Sequence, residues 1–205
     1  GITALQAGAT AAVMRGTQDM KAAIRYFRKD VAENGNQYGI NPDEIYAAGV
    51  SAGGFIALHL AYLDQESELP SFLDMNATGV SGGLEGNSGN SGYPSNVKAV
   101  VSICGAIGDS AWIQPGDEPA CLFHGTNDNT VPYGSAMLSV LGMPVTDVDG
   151  SYSINEKMNQ IGLEHCFEIH EGQDHVPSLT SAAFADTTLS LMTQFLASQV
   201  CGTNY

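Results

Sequence analysis

The sequence predicts an α/β fold, a predominantly parallel sheet flanked by helices, and three observations carry that prediction. Helical and strand-like segments alternate along the chain, the pattern of a parallel sheet covered by its crossovers. A short buried strand at 44–50 (EIYAAGV) is followed at once by a largely buried helix at 52–63 (AGGFIALHLAYL). The turn between them is a G-x-S-x-G run, Gly49-Val50-Ser51-Ala52-Gly53, in the strand-to-helix position such runs occupy in this class.

The elements follow in order. Residues 17–33 read as an amphipathic helix with Met20, Ile24, Phe27 and Val31 on one face. Gly35 offers a C-terminal stop and Asn41-Pro42-Asp43 a turn into the first strand. After the helix at 52–63 comes an irregular segment, about 64–96. Its stretch SGGLEGNSGNSGYPSN suits a solvated surface loop better than a lid over a substrate. Strands resume at 97–104, 119–125 and 165–170, and helices are predicted at 133–141, 151–161 and 180–199. No internal repeat interrupts the series, so residues 1–205 form one domain.

Charge narrows the partners. The chain has 22 acidic residues against 7 Lys plus Arg, a net −15, and a polyanion of this kind repels nucleic acid and anionic membranes. No apolar run approaches the ~20 residues of a membrane helix. Gly1 opens a small-residue stretch without the basic start of a signal peptide, and if the protein is exported its signal has already gone. The four cysteines, Cys104, Cys121, Cys166 and Cys201, lie in no zinc-binding spacing, and no metal is expected. Cys166 begins the last strand and Cys201 follows the last helix. Antiparallel packing of the two brings those ends together, which favours a Cys166–Cys201 disulfide. Cys104 and Cys121, at opposite ends of their strands, are expected to stay reduced.

The chemistry centres on Ser51. A nucleophile on so tight a turn stands above the sheet within reach of a base, and the Ala52 N–H at the helix start points to where an oxyanion forms. A serine hydroxyl needs a general base, and doubly wound folds place one on loops after later strands. Asp128 sits three residues past the strand that ends near Gly125. His175 lies in the loop after the strand that ends near His170. The order Ser51, Asp128, His175 suits the fold. Among the other histidines, His59 falls inside a helix, His124 within a strand and His165 at a strand's far end. All three read as structural, which leaves His170 as the one competitor for the base. Asp174 would have to fold back on its neighbour. Asp147 and Asp149 are assigned to a loop, where Asp147-Val148-Asp149-Gly150 reads as a turn rather than a calcium loop.

These residues have a familiar pattern. The run from QDMKAAIRYFRKD through YGINPDEIYAAGVSAGGFIALHLAYL, with FHGTNDNTVPYGSAM and GQDHVP, resembles α/β-hydrolase carboxylesterases of the secreted bacterial type. The resemblance implies hydrolysis of small-molecule or polymer-linked carboxylic esters through an acyl-enzyme, without metal or organic cofactor. It implies catalytic roles for Ser51, Asp128 and His175 and an oxyanion-hole role for Ala52. It also implies a secreted, extracellular or periplasmic setting. That fold has about eight strands, of which this sequence supplies the last four, so only the C-terminal half of the sheet is expected here. An upstream segment or second chain is expected to complete the sheet and to bring a second oxyanion donor, worth on the order of 3 kcal/mol. Two other functions fit the same residues: a prolyl-oligopeptidase-like serine peptidase, and a binding module that kept the fold without catalysis.

Overall fold

The computed structural model describes residues 3–140 and 142–202. In chain order the elements are α1 (Ala4–Glu33), β1 (Tyr46–Val50), α2 (Ala52–Tyr62), β2 (Ala99–Ile103), β3 (Ala106–Ile107), β4 (Ala120–Gly125), β5 (Ser135–Val140), β6 (Met143–Gly150), α3 (Ser151–Ile161), β7 (His165–His170) and α4 (Ala182–Cys201). The four expected strands form one sheet in the order β1-β2-β4-β7, every pair parallel. Side chains alternate across it, as strand geometry requires. Val100 and Leu122 point into a core closed by Leu58 of α2 and by Ile154 and Met158 of α3. Their neighbours Val101, Cys121 and Phe123 point the other way, against Phe195 of α4. Among the described residues no helix is long and apolar enough to cross a membrane.

Several sequence expectations need correction. The helix expected at 17–33 starts at Ala4, because Ala-rich residues 4–13 propagate a helix that Thr3 caps by accepting the Gln6 N–H at 3.1 Å. The helix expected at 133–141 is instead strand β5, antiparallel to β6, and β6 also pairs with β3 in a small second sheet. Gly142, with φ of 75°, supplies the left-handed turn residue that this hairpin needs. Residue 141, the last of that expected helix, and Gly1 lie outside the described residues. Asp147 and Asp149 therefore belong to a strand rather than a loop. Asp149 accepts the Ser110 N–H at 2.8 Å, which ties the small sheet to the chain after β3.

The disulfide is also different. Cys166 pairs with Cys121, while Cys104 and Cys201 are free. Parallel register places Cys121 directly beside Cys166 on neighbouring strands, on the face covered by α4. Cys201 sits exposed on the last turn of α4, so strand pairing rather than helix packing chose the partner.

The segment 64–96 is irregular as expected, with two short 3₁₀ turns. One flank is tied to α1: Gln18 donates to the carbonyls of Val80 and Gly83, and buried Lys21 and Arg25 hold Glu85 at 2.9 and 2.8 Å. Among the described residues β1 and β7 are the sheet edges, and Val50 at the end of β1 is 40% exposed.

Candidate active site

Ser51 occupies the junction between β1 and α2 with φ of 54° and ψ of −118°, a region that costs a non-glycine residue strain. Two backbone bonds pin it there. Its N–H donates to the Ile103 carbonyl at 2.8 Å, and its carbonyl accepts the Phe55 N–H at 3.1 Å. Gly49 is needed for the turn, since a Cβ there would lie 1.9 Å from the Gly53 carbonyl oxygen. Gly53, the closing glycine of the motif, meets nothing within 4 Å. The close approach belongs to the next residue: a Cβ on Gly54 would sit 2.9 Å from Gly105 Cα and 2.7 Å from Ser102 Oγ. Ala52 is the first residue of α2, so its N–H is one of the donors that a helix start leaves without an intrahelical acceptor.

The structure brings together the three side chains that the sequence singled out. Ser51 Oγ–H donates to His175 Nε2 at 2.8 Å, and His175 Nδ1–H donates to Asp128 Oδ2 at 2.6 Å. The Asp128 side chain is fully buried and that of His175 is 20% exposed. Asp128 Oδ1 accepts the backbone N–H groups of Thr130 and Val131, each at 2.8 Å. Burial alone would raise the carboxyl pKa. Hydrogen bonds from His124, His175, Val131 and Thr130 outweigh that effect and hold it at about 2. Asp128 is thus a fixed anion at neutral pH.

The rejected candidates fall elsewhere. His170 is buried with neither ring nitrogen bonded, against Phe184, and burial lowers its pKa. His59 donates Nδ1–H to the Phe55 carbonyl at 2.8 Å, and burial pulls its pKa down to about 4. His165 bonds the Leu163 carbonyl and Asn155. Asp174 accepts the N–H groups of Asn129 and His175, at 2.9 and 2.8 Å, and so clamps the acid and base loops together.

Two neighbours of the acid escaped the sequence reading. His124 Nε2 lies 3.2 Å from Asp128 Oδ2. Buried Cys104, at φ of 50°, accepts the Val176 N–H on Sγ at 3.3 Å. Burial pushes the Cys104 thiol up to about 11, against the pull of the Val176 and Gly125 N–H groups. The spacing H-G-x-x-D is the available signal, since a strand end followed by a tight turn returns its fifth residue to the first. Among the described residues Cys104, His124 and Asp128 form the group whose ligand atoms cluster within 4.8 Å. Those atoms are engaged in hydrogen bonds to one another and to the backbone. One turn from Ser51, Phe55 walls an apolar cavity of about 140 Å³ that also touches Val13, His59, Trp112 and Leu138.

A family model described as BD-FAE matches residues 5–112. No curated protein matches the chain. Among solved structures, the thermophilic esterase Est2 of the Planctomycetes species Thermogutta terrifontis with propionate bound is 21% identical, with a TM-score of 0.61 over 88% of this chain and 64% of that one. Thermogutta terrifontis esterase 2 phosphoramylated by tabun gives 23% identity and 0.59, over 88% and 63%. A truncated carbohydrate esterase from gut microbiota gives 22% and 0.55, over 89% and 67%. The fold is that of the α/β-hydrolases, and this chain spans under two thirds of the length of the Thermogutta esterase.

Proposed function

The chain belongs to the BD-FAE family, and on that premise we propose that it is a serine hydrolase cleaving carboxylic esters through an acyl-enzyme. The observation that carries this reading is the unbroken line of hydrogen bonds Ser51–His175–Asp128, with a buried carboxylate at its far end. His175 Nε2 takes the Ser51 proton as Oγ attacks the ester carbonyl carbon. Asp128 holds the Nδ1–H tautomer and stabilises the imidazolium that forms. The Ala52 N–H donates to the oxyanion. Collapse of the tetrahedral intermediate expels the alkoxide, which leaves as the alcohol with the proton from His175. Water, deprotonated by the same imidazole, then attacks the acyl-enzyme and releases the acid.

The second oxyanion donor is assigned to a segment that joins the sheet beside β1, whose edge is free among the described residues. Substrates are small-molecule or polymer-linked esters. The setting is secreted, extracellular or periplasmic, and the Cys121–Cys166 disulfide favours such an oxidising compartment.

Ser51→Ala should lower turnover of p-nitrophenyl acetate by about 10⁴-fold or more. Thermogutta terrifontis esterase 2 is phosphorylated by paraoxon. The same reagent should add one diethyl phosphate to this chain, at Ser51, and none to the alanine variant. Full activity of Ser51→Ala, or phosphorylation elsewhere, would remove the reading.

A further inference from the structure

Against the same oxygen of Asp128 that His175 holds stands a second imidazole that the three-residue account leaves unused. His124 is wholly buried in β4, and each of its ring nitrogens has a defined neighbour. Nε2 lies 3.2 Å from the Val131 carbonyl oxygen and 3.2 Å from Asp128 Oδ2. Both neighbours are acceptors, so Nε2 must carry the proton. Nδ1 is then the lone pair, and the Ser151 hydroxyl, 2.9 Å away, donates to it. Ser151 is also wholly buried, at the first position of α3. The His124 ring N–H donates to the Val131 carbonyl and lies against Oδ2, the oxygen that His175 Nδ1–H also holds, while the N–H groups of Thr130 and Val131 fix Oδ1.

We propose that His124 is a positioning residue for the triad, held in its Nε2–H tautomer by Ser151, and that it fixes the Asp128 carboxylate in the orientation His175 needs. The inference rests on the serine-hydrolase reading above. Carboxylate rotation about Cβ–Cγ would move Oδ2 off the His175 Nδ1–H axis. The backbone donors resist that rotation at Oδ1, and the His124 N–H resists it at Oδ2 itself. The other titratable groups around this pair are Cys104 from the end of β2, His170 from β7, the ring of Tyr133 packed edge-on to His124, and Asp174. Of these, Cys104 also hydrogen-bonds the Asp128 carboxylate through its thiol, while His124 is the second imidazole in contact with Oδ2.

The test compares two amides that place their nitrogen differently. His124→Gln puts an N–H near the position of Nε2 and keeps a donor to Asp128. His124→Asn puts its polar group near Nδ1, beside Ser151, and loses that donor. Each buries one imperfectly paired amide, so a purely structural role predicts similar losses for both. Positioning predicts that His124→Asn loses about ten- to hundredfold in kcat with KM little changed. It also predicts that the acid limb of its kcat/KM profile moves to lower pH, because a carboxylate free to rotate off the Nδ1–H axis stabilises the protonated base less. His124→Gln should restore kcat to within about threefold of the parent and return the limb to its place. Equal losses in the two variants, or an unmoved limb in His124→Asn, would overturn the proposal. If neither amide folds, Ser151→Ala serves: with Nδ1 no longer held, the ring is free to shift, kcat should fall by about threefold or more with the same shift of the limb, and an unchanged profile would overturn it. Parent and Ser51→Ala run alongside. A parent that requires Ser51 but ignores His124 sinks only the positioning role, whereas indifference to Ser51 sinks the hydrolase reading.

Discussion

His59 carries a cost that depends on pH. It is buried in α2 against Phe55 and Trp112, and burial lowers its pKa from the ordinary 6.5 to about 4. Between those values the unfolded chain binds a proton at this residue and the folded chain does not, so stability falls as pH drops from about 6.5 toward 4. The span corresponds to about 3 kcal/mol at most. His170, buried without a partner, acts with the same sign. Urea unfolding of His59→Phe at pH 7.5 and 5.0 should therefore show a smaller loss on acidification than the parent. An equal loss would mean that the imidazole is solvated. Asp128 acts at lower pH. With its carboxyl held at about 2, its contribution is present above the ordinary carboxylate value and is lost as pH falls through 2. Asp128→Asn should leave the fold at pH 7 and lower kcat by about 10⁴-fold, since the amide favours the wrong imidazole tautomer.

The strand-to-helix turn is governed by helix packing as much as by the motif. Gly53 lies in the first turn of α2 with open space around it, whereas Gly54 touches Gly105 across the α2–β2 contact. Gly53→Ala should raise stability by up to about 1 kcal/mol, because alanine loses less backbone entropy in a helix. Gly54→Ala should cost about 1–3 kcal/mol through overpacking. Thermal unfolding of the pair checks this, and a reversed order would show that α2 does not sit on β2 as described. The hairpin β5–β6 illustrates the opposite balance. Residues 133–141 carry weak local preference, and the partner strand β6, with Val145 and Val148 buried on its inner side, imposes extended structure.

For the whole molecule, thiol counting tests the sheet register. The native chain should react with Ellman's reagent at one cysteine, the exposed Cys201, while Cys104 stays covered. Denaturation without reductant should expose two thiols, Cys104 and Cys201, because Cys121 and Cys166 face each other across β4 and β7. Peptide mapping that found Cys166 joined to Cys201 would mean that β4 and β7 are out of register. Parallel strands of this sort form late in folding, as each pair waits for the segment that crosses between them.

Sequence by itself determined the α/β order, four strands, all four long helices apart from the first turns of α1, and the three side chains, Ser51, Asp128 and His175, that meet beyond the strand ends. Each of these leaves a local mark: an apolar run, a helical stripe, a glycine turn, or a polar residue just beyond a strand end. Tertiary structure alone decided the Cys121–Cys166 pairing, the conversion of 133–140 from helix to hairpin, and the placing of His124 against Asp128. Those outcomes depend on which strands lie side by side and on what each buried polar group meets there. Such neighbours come from register and packing between distant segments, and no window of adjacent residues contains that information.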